Sequence, residues 1–274
     1  MPLLRCLNTL GCPEFSLEEA CALASRHGLA GVELRALGGT VELGGYLARH
    51  YGSPEGLVEK LRAEQGRSTN EPAVRVVAFN TSMKLIGGSA AERDQLVEIA
   101  PWAEALGVRW LRVFDGGKTA DEGELLRAVE TLRWWREERA VRGWQVDLMI
   151  ETHDSLCTAA AIGGLLEVVP DAAILWDSHH TWKKGGEDPL VTWRAIRANV
   201  VHVHVKDSVS LPSARHPFTY VLPGAGEFPM PPLMAELTAA NFSGPVSLEW
   251  ERMWHPYLPP LDEALAVATA RRWW

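Results

Sequence analysis

Acidic and histidine side chains stand at the ends of four apolar segments in the second half of the chain. The segments are VDLMIE, AAILWD, VVHVHVK and PVSLEW, and the polar residues are Glu151, Asp177, His204 and Glu249. Carboxylates and imidazoles are the groups that proteins use to move protons and to bind divalent cations. The question is therefore which fold would bring these four side chains together.

A single carboxylate at the end of a strand also has a purely structural explanation. In ILWDSHHTW, residues 174–182, Asp177 ends an apolar run and two histidines follow it. A lone Asp or Glu at such a place often accepts hydrogen bonds from the first backbone N–H groups of the next helix. For Asp177 or Glu151 alone, capping and ligand binding are equally good interpretations. We expect neither His179 nor His180 to be an ordinary core residue, and we expect one of them to face a substrate.

Polar residues at the ends of four consecutive strands favour one shared metal site over four independent helix caps. Three carboxylates around one cavity would repel one another and raise one another's pKa unless a cation lay between them. We therefore predict a catalytic metal site with Glu151, Asp177, His204 and Glu249 as ligands and with open positions for two substrate oxygens. This donor set favours Mn²⁺ or Mg²⁺, and Co²⁺ or Zn²⁺ are compatible with it. His202 shares a strand face with His204 and is predicted to lie deeper, as a buried supporting group.

The elements that must position these residues alternate between short apolar strands and amphipathic helices. The strand candidates cover residues 3–8, 31–35, 74–80, 109–114, 146–151, 172–177, 200–206 and 245–250. One intervening helix begins with a Ser-x-x-Glu capping box at Ser16 and ends at Gly28. Such alternation indicates parallel strands covered on both faces. Eight units in 274 residues predict an α/β fold, a single (β/α)8 TIM-barrel domain over residues 1–274, with all strand ends on one face.

Composition argues against several classes of protein. The net charge is −8 and no dense block of Lys and Arg is present, so no nucleic-acid partner is expected. No apolar run approaches the ~20 residues that cross a bilayer, and no signal peptide is evident, so no membrane partner is expected. The cysteines show no metal-type spacing, and a cytoplasmic location is predicted. The longest irregular segment, residues 206–232, is predicted to be a lid or a binding loop.

Five stretches in the last four units resemble the xylose-isomerase-like superfamily of sugar phosphate isomerases and epimerases. They are IETHD, LWDSHHTW with GEDP, HVHVKD, VLPGAGEFP and GPVSLEWERMWHP; GVEL and RVFDGG extend the likeness, and residues 40–70 look like a variable insertion. The superfamily includes ketose 3-epimerases, inosose dehydratases and endonuclease IV. The resemblance implies the same four ligands, with Glu151 and Glu249 also moving protons. It further implies substrate contacts from His180 and Arg215, a sugar-binding or supporting role for Glu33, and a homo-oligomer.

These observations together predict a metal-dependent isomerase or epimerase of a ketose or related polyol-derived ketone. The metal would chelate the carbonyl oxygen and the adjacent hydroxyl, and one glutamate would remove the α proton while the other returns it through an enediolate. His180 and Lys206 would bind hydroxyls or stabilise negative charge, although Lys206 could instead reach solvent or pair with Asp207. The expected partner is a small sugar or cyclitol.

A dehydratase of the inosose or 3-dehydroshikimate type is the close alternative, because loss of a β-hydroxyl from the same enediolate needs the same metal and base. An endonuclease IV-like hydrolase is less favoured, since the third and fourth strands end in Phe79-Asn80 and Phe114-Asp115 and lack the extra zinc-binding histidines. A barrel that only binds a ligand would not need the intact ligand set. Neither a Gly-rich helix-opening loop nor an arginine cluster is clear, so an unphosphorylated substrate is predicted.

Overall fold

Eight parallel strands close into a barrel in the computed structural model, which describes residues 3–65 and 74–274. Going round the ring, the strands are β1 (Leu4–Asn8), β2 (Gly31–Leu34), β3 (Arg75–Lys84), β4 (Trp110–Phe114), β5 (Asp147–Glu151), β6 (Ala173–Asp177), β7 (Val200–Val205) and β10 (Pro245–Leu248). A separate antiparallel hairpin is formed by β8 (Ser208–Val209) and β9 (Thr219–Tyr220). The predicted (β/α)8 barrel is confirmed.

The helices of the described residues connect these strands and cover the barrel. They are α1 (Leu17–Arg26), α2 (Leu43–Tyr51), α3 (Pro54–Gln65), α4 (Ala90–Ala105), α5 (Glu122–Arg142), α6 (Ala159–Val168), α7 (Ser178–Lys183), α8 (Pro189–Ile196), α9 (Met230–Ala239) and α10 (Leu261–Ala270). The predicted capping box of α1 is present, because the Ser16 hydroxyl accepts from the Glu19 N–H and the Glu19 carboxylate accepts from the Ser16 N–H. Among the helices of residues 3–65 and 74–274, none has the length and apolar composition to cross a bilayer.

The segment predicted as a variable insertion, residues 40–70, contains the whole of helices α2 and α3. Both lie between β2 and β3, and residues 66–70 of the predicted insertion lie outside the described residues. In α2 the side chains of Leu43, Tyr46 and Leu47 are buried, so their spacing of three and four residues gives the helix one apolar face. The insertion therefore packs on the barrel through a conventional amphipathic helix.

The barrel interior is apolar at its amino-terminal end and polar at its carboxyl-terminal end. Ala78, Met149, Ala173 and Leu175 form a buried apolar cluster inside the ring. Alternate residues of a strand share a face, so Asn80, Glu151 and Asp177 follow two residues later on the same inward side. The apolar cluster thus forms a floor beneath a layer of polar side chains. These are the strand ends at which a TIM barrel carries its site.

Strand register brings the predicted ligands to one level. Asp177 is the pairing partner of His204 across β6 and β7. Ser247 pairs with His204, and the Glu249 N–H donates to the Val205 carbonyl oxygen at 3.1 Å. The ligand-bearing ends of β6, β7 and β10 therefore lie side by side.

The long segment after β7 is organised by a buried carboxylate. Asp207 Oδ2 accepts the N–H groups of Gly224 at 2.8 Å and Gly226 at 3.0 Å, and its Oδ1 accepts the Phe228 N–H at 3.1 Å. A Cβ at Gly226 would lie 2.2 Å from Asp207 Oδ1, so only glycine permits this close approach. Because these N–H groups occupy the carboxylate, Asp207 is not the ion-pair partner of Lys206, which was one of the alternatives for that lysine.

Candidate metal centre

The four predicted metal ligands converge at the carboxyl-terminal end of the barrel. One ligand atom from each of Glu151, Asp177, His204 and Glu249 lies within 4.8 Å of the other three. All four residues are buried, and the most accessible of them, Glu249, is only 5% exposed. Three carboxylates and one imidazole in so small a volume are a donor set suited to a hard divalent cation.

His204 directs its Nδ1 toward two of the carboxylates. This nitrogen lies 3.4 Å from Glu249 Oε1 and 3.7 Å from Glu151 Oε1. It is buried, and within residues 3–65 and 74–274 no group forms a hydrogen bond with it. A buried nitrogen without a hydrogen bond that faces two carboxylate oxygens is what a metal ion would complete. The residues present therefore fit a divalent ion.

Glu33 lies behind His204 and fixes its orientation. The His204 Nε2 is 2.7 Å from Glu33 Oε1, which also accepts the Asn80 amide at 2.7 Å. The His202 Nε2 lies 3.3 Å from Glu33 Oε2. Burial would raise the pKa of Glu33, but the two histidines hold it well below its usual value. Of the two roles implied for Glu33 by the family resemblance, this position matches support of the site, and the residue is 0% exposed.

Asp177 uses one oxygen to cap a helix and has the other available as a predicted metal ligand. Its Oδ1 accepts the N–H groups of His179 at 3.0 Å and His180 at 2.9 Å, which caps α7. Its Oδ2 faces the ligand cluster. Burial and the neighbouring carboxylates raise the pKa of Asp177 to about 6, although Lys206 opposes this effect. Capping thus uses one oxygen and leaves the other for a cation.

Lys206 supplies a buried positive charge beside the ligands. Its Nζ lies 2.8 Å from Asp177 Oδ2 and 2.7 Å from Glu251 Oε1, and it also bonds to Glu249 Oε2. Burial alone would lower the pKa of this lysine, but the carboxylates around it raise the pKa well above its usual value. The side chain therefore does not reach solvent, and its role toward a substrate stays a prediction.

Arg112 is a residue of the site that the sequence analysis missed. Its Nε lies 3.0 Å from Glu151 Oε2, its Nη1 donates to the Thr81 carbonyl at 2.8 Å, and its guanidinium lies 4.0 Å from the centre of the Phe114 ring. Burial would raise the pKa of Glu151, but Arg112 contributes to holding it below the usual value. The available signal was an arginine between apolar residues of a strand, in WLRVF.

Glu251 is a second residue that was missed as part of the site. It accepts hydrogen bonds from Lys206 Nζ and, at 2.8 Å, from the Tyr220 hydroxyl. Burial would raise the pKa of Glu251, but Lys206 and other neighbours lower it strongly. Glu251 stands two residues after Glu249, and this alternation was the signal that it shares the same face.

His180 lies at the edge of the ligand cluster. Its Nδ1 is 3.1 Å from the Thr152 carbonyl oxygen and 3.1 Å from Asp177 Oδ2. Because a carbonyl oxygen only accepts hydrogen bonds, Nδ1 carries the proton and Nε2 is the basic nitrogen. Burial and the charge of Lys206 hold the pKa of His180 well below its usual value, so the ring is neutral. This arrangement suits the substrate contact that remains predicted for His180.

The expectation that His179 is not an ordinary core residue was wrong. The side chain is 0% exposed, and its Nε2 lies 2.8 Å from Ser208 Oγ. Its ring contacts the aromatic rings of Trp182, Phe218, Tyr220 and Phe228. The sequence could not show this packing, because three of these rings come from the segment after β7, which folds back over α7.

Arg215 lies apart from the ligand cluster. Its Nη1 donates to the carbonyl oxygen of Trp254 at 2.9 Å, in a region where Trp254 is 39% exposed. In the described part of the chain, the arginine and lysine side chains that pair with carboxylates of the cluster are Arg112 and Lys206. The structure thus does not bring Arg215 together with the other predicted site residues.

Comparison with known families gives one match over most of the chain. The sequence pattern of the family described as xylose isomerase-like TIM barrel matches residues 21–274. No curated protein matches the chain in sequence. The match includes every strand of the barrel except β1.

Solved structures share the fold over nearly their whole length. The probable 3-DHS dehydratase AsbF of Bacillus anthracis has a TM-score of 0.75 and 19% identity, over 98% of this chain and 99% of that one. The IOLI protein, described with a binding zinc atom, has a TM-score of 0.72 and 18% identity, over 98% and 96%. A D-tagatose 3-epimerase-like protein has a TM-score of 0.62 and 16% identity, over 98% and 100%. At these identities the likeness concerns the fold.

Proposed function

Because this chain belongs to the xylose isomerase-like TIM barrel family, we propose that it is a metal-dependent isomerase or epimerase of a ketose or a related polyol-derived ketone. The observation that carries the proposal is the buried convergence of Glu151, Asp177, His204 and Glu249 at the strand ends. These residues would hold one divalent ion, Mn²⁺ or Mg²⁺ by the preference of the donor set. The ion would supply Lewis-acid polarisation of a substrate carbonyl.

Glu151 and Glu249 would move the proton. Glu151 ends β5 and Glu249 follows β10, and these strands are separated in the ring by β6 and β7. Glu151 Oε1 and Glu249 Oε1 lie 3.7 Å and 3.4 Å from the same His204 nitrogen, so both carboxylates border the space in which a substrate would bind. One carboxylate would take the proton from the carbon next to the carbonyl and later give it to solvent. The other would take up a proton from solvent and deliver it to the enediolate carbon.

Neighbouring cations keep both glutamates ionised, as a general base requires. Burial opposes ionisation, but Arg112 lowers the pKa of Glu151 and Lys206 lowers that of Glu249. Lys206, whose three N–H donors contact Asp177, Glu249 and Glu251, would turn one of them to the oxygen that gains negative charge. The basic Nε2 of His180 would accept a hydrogen bond from a substrate hydroxyl.

Exchange of substrate hydrogen with D₂O tests the proposal. The Mn²⁺-loaded protein is incubated with a panel of ketoses and cyclitol ketones, and we expect deuterium to enter at the carbon next to the carbonyl. A Glu151→Gln variant should exchange deuterium about 10²–10⁴-fold more slowly, which is the usual size of a general-base contribution. Glu236→Gln on α9 is the matched control and should exchange at the parental rate. An unchanged rate in Glu151→Gln would exclude this base, and no exchange with any ketone would exclude enolisation.

Dehydration of a β-hydroxy ketone is the second candidate, and the position of His153 favours it. The His153 Nδ1 lies 2.8 Å from Asp154 Oδ1, and its ring centre lies 4.9 Å from that of His180. A histidine oriented by a carboxylate is a usual proton donor, and a departing hydroxyl needs one. The same panel separates the reactions, because elimination produces a conjugated ketone with ultraviolet absorbance. A His153→Gln variant should then slow elimination and leave deuterium exchange intact.

A further inference from the structure

Arg35 is a buried cation at the mouth of the barrel. It stands two residues after Glu33, whose carboxylate contacts His204 inside the ring, and alternate residues of a strand share a face. The residue is only 5% exposed. Its backbone N–H donates to the Thr9 hydroxyl at 2.8 Å, which fixes the start of the side chain at the end of β2.

The guanidinium of Arg35 is not fully satisfied by the protein. Its Nη2 donates to Ser82 Oγ at 3.0 Å. Its Nη1 is buried and forms no hydrogen bond with any group of residues 3–65 and 74–274. A buried charged nitrogen without a partner is strongly unfavourable, so native proteins retain one chiefly where something else binds it. Burial lowers the pKa of Arg35 to about 9, and Arg112 adds to this effect.

The neighbouring Arg112 differs from Arg35 because its guanidinium has a carboxylate of the protein beside it. Its Nε faces Glu151 at 3.0 Å, and its Nη1 donates to the Thr81 carbonyl. Arg35 and Arg112 thus bind the consecutive β3 residues Ser82 and Thr81, which places the two guanidinium groups close together. Of these two arginines, Arg35 is the one that forms no ion pair with a carboxylate of the described residues.

We propose that Arg35 binds a carboxylate group of the substrate, so that the molecule turned over at the metal centre is a keto acid and not a neutral sugar. This inference rests on the proposed function and names its substrate class. A carboxylate is planar and carries one negative charge, which matches the edge of a single guanidinium. A phosphate dianion would place a second negative charge among the carboxylates of Glu151 and Glu249.

Three ketoses that differ at one carbon test the proposal. D-Fructose, D-fructuronate and D-fructose 6-phosphate carry a hydroxymethyl, a carboxylate and a phosphate ester at C6. Each is titrated calorimetrically into the Mn²⁺-loaded parent protein and into Arg35→Met, Arg35→Lys and Arg35→Gln. We expect the parent to bind the acid at least about tenfold more tightly than the neutral sugar, as for a charged hydrogen-bonded pair. The preference should vanish in Arg35→Met and Arg35→Gln and be reduced in Arg35→Lys.

A surface arginine provides the matched control. Arg136 on α5 pairs with Asp171 and its side chain is 51% exposed, so Arg136→Met should keep the full preference for the acid. Equal affinity of the parent for acid and neutral sugar would overturn the proposal. Tighter binding of the phosphate ester would overturn the choice of a carboxylate, and a preference that survives in Arg35→Met would overturn the assignment to Arg35. If Arg35→Met does not fold, Arg35→Lys and Arg35→Gln decide the same question.

Acetate gives a second measurement that does not depend on the shape of the sugar. At constant ionic strength, with sodium chloride as the reference, acetate should raise the Tm of the parent by about 2 °C or more at tenfold its Kd. Arg35→Met should show no such rise, with or without Mn²⁺, and equal shifts in both proteins would overturn the proposal. If none of the three ketoses binds, the acetate-dependent Tm shifts of the parent and Arg35→Met decide whether Arg35 is an anion site. If acetate raises the Tm only when Arg35 is present, but no deuterium exchange is found, the anion site at Arg35 stands and the proposed isomerase reaction is excluded.

Discussion

At the scale of single residues, the chemistry of His204 depends on the carboxylate behind it. Glu33 contacts Nε2 of the ring, and this contact leaves Nδ1 directed at the other ligands. A carboxylate behind a metal-binding histidine fixes the ring and makes the ligating nitrogen more basic. Although burial alone would lower the pKa of His204, Glu33 and Glu249 raise it well above its usual value. A metal ion that binds here would therefore take the place of a proton on this ring.

We expect a Glu33→Gln substitution to weaken Mn²⁺ binding by about 10–100-fold, the usual effect of removing such a carboxylate. The amide preserves the shape of the side chain but removes the charge that holds the histidine. The measurement is competition against a fluorescent chelator, with Glu236→Gln as the surface control. Unchanged affinity in Glu33→Gln would show that His204 does not depend on this contact.

Lys206 should matter most to the metal-free protein. It is the ion-pair partner of Asp177, Glu249 and Glu251, so Lys206→Met leaves buried carboxylates without their cation. Breaking one buried pair costs about 3–5 kcal/mol, and a divalent ion would offset part of this cost. Urea denaturation should therefore show a larger loss of stability in EDTA than with Mn²⁺. Equal losses of stability in EDTA and in Mn²⁺ would show that the contribution of Lys206 does not depend on the cation site.

At the scale of elements, the end of β5 is held in place by a carboxylate from β4. Asp115 accepts backbone N–H groups from residues 153 to 156, with Asp154 and Ser155 both at 2.6 Å. It also accepts the Ser155 hydroxyl at 2.8 Å. This turn directly follows Glu151, so the position of one predicted ligand depends on it. Asp115 also lies near His153 and Asp154, but its two oxygens are already engaged by the turn.

An Asp115→Asn substitution should destabilise the protein by about 2–3 kcal/mol. The amide places an N–H₂ group where the aspartate accepts N–H donors, and a buried donor without a partner costs about 1–3 kcal/mol. Urea denaturation gives the loss, and Asp171→Asn, whose side chain is 73% exposed, provides the control. If the two variants are equally stable, the turn is held by other contacts.

At the scale of the whole molecule, metal binding would join four separate strands. The predicted ligands follow or end β5, β6, β7 and β10, which are neighbours in the ring but distant in the chain. An unfolded chain cannot hold them together. Binding to the folded state alone raises stability in proportion to the logarithm of ligand concentration.

Mn²⁺ at 100 times its Kd should stabilise the protein by about 2.7 kcal/mol, and EDTA should reverse this. For a chain of this size the corresponding rise in Tm is about 5–10 °C. Thermal scans of the parent and of His204→Gln provide the measurement, since the variant lacks the imidazole ligand. A rise of equal size in His204→Gln would place the stabilising ion elsewhere on the molecule.

The sequence by itself determined the barrel and the positions of its polar strand ends. Strands and helices follow from local periodicity, as the match of all eight predicted strands and the capping box at Ser16 shows. The placement of Glu151 and Asp177 could be predicted because parallel strands send their carboxyl ends to one face. Such inferences need only the order of elements and the alternation of side chains.

Only the tertiary structure decided which side chains support the site. Glu33 contacts His204 across the barrel, and Arg35 and Arg112 each donate a hydrogen bond to a residue of β3. His179 is packed against aromatic rings from a later segment. These contacts join residues far apart in the chain, and strand register and loop packing set their distances. Local periodicity carries no information about either, because both depend on how the whole ring closes.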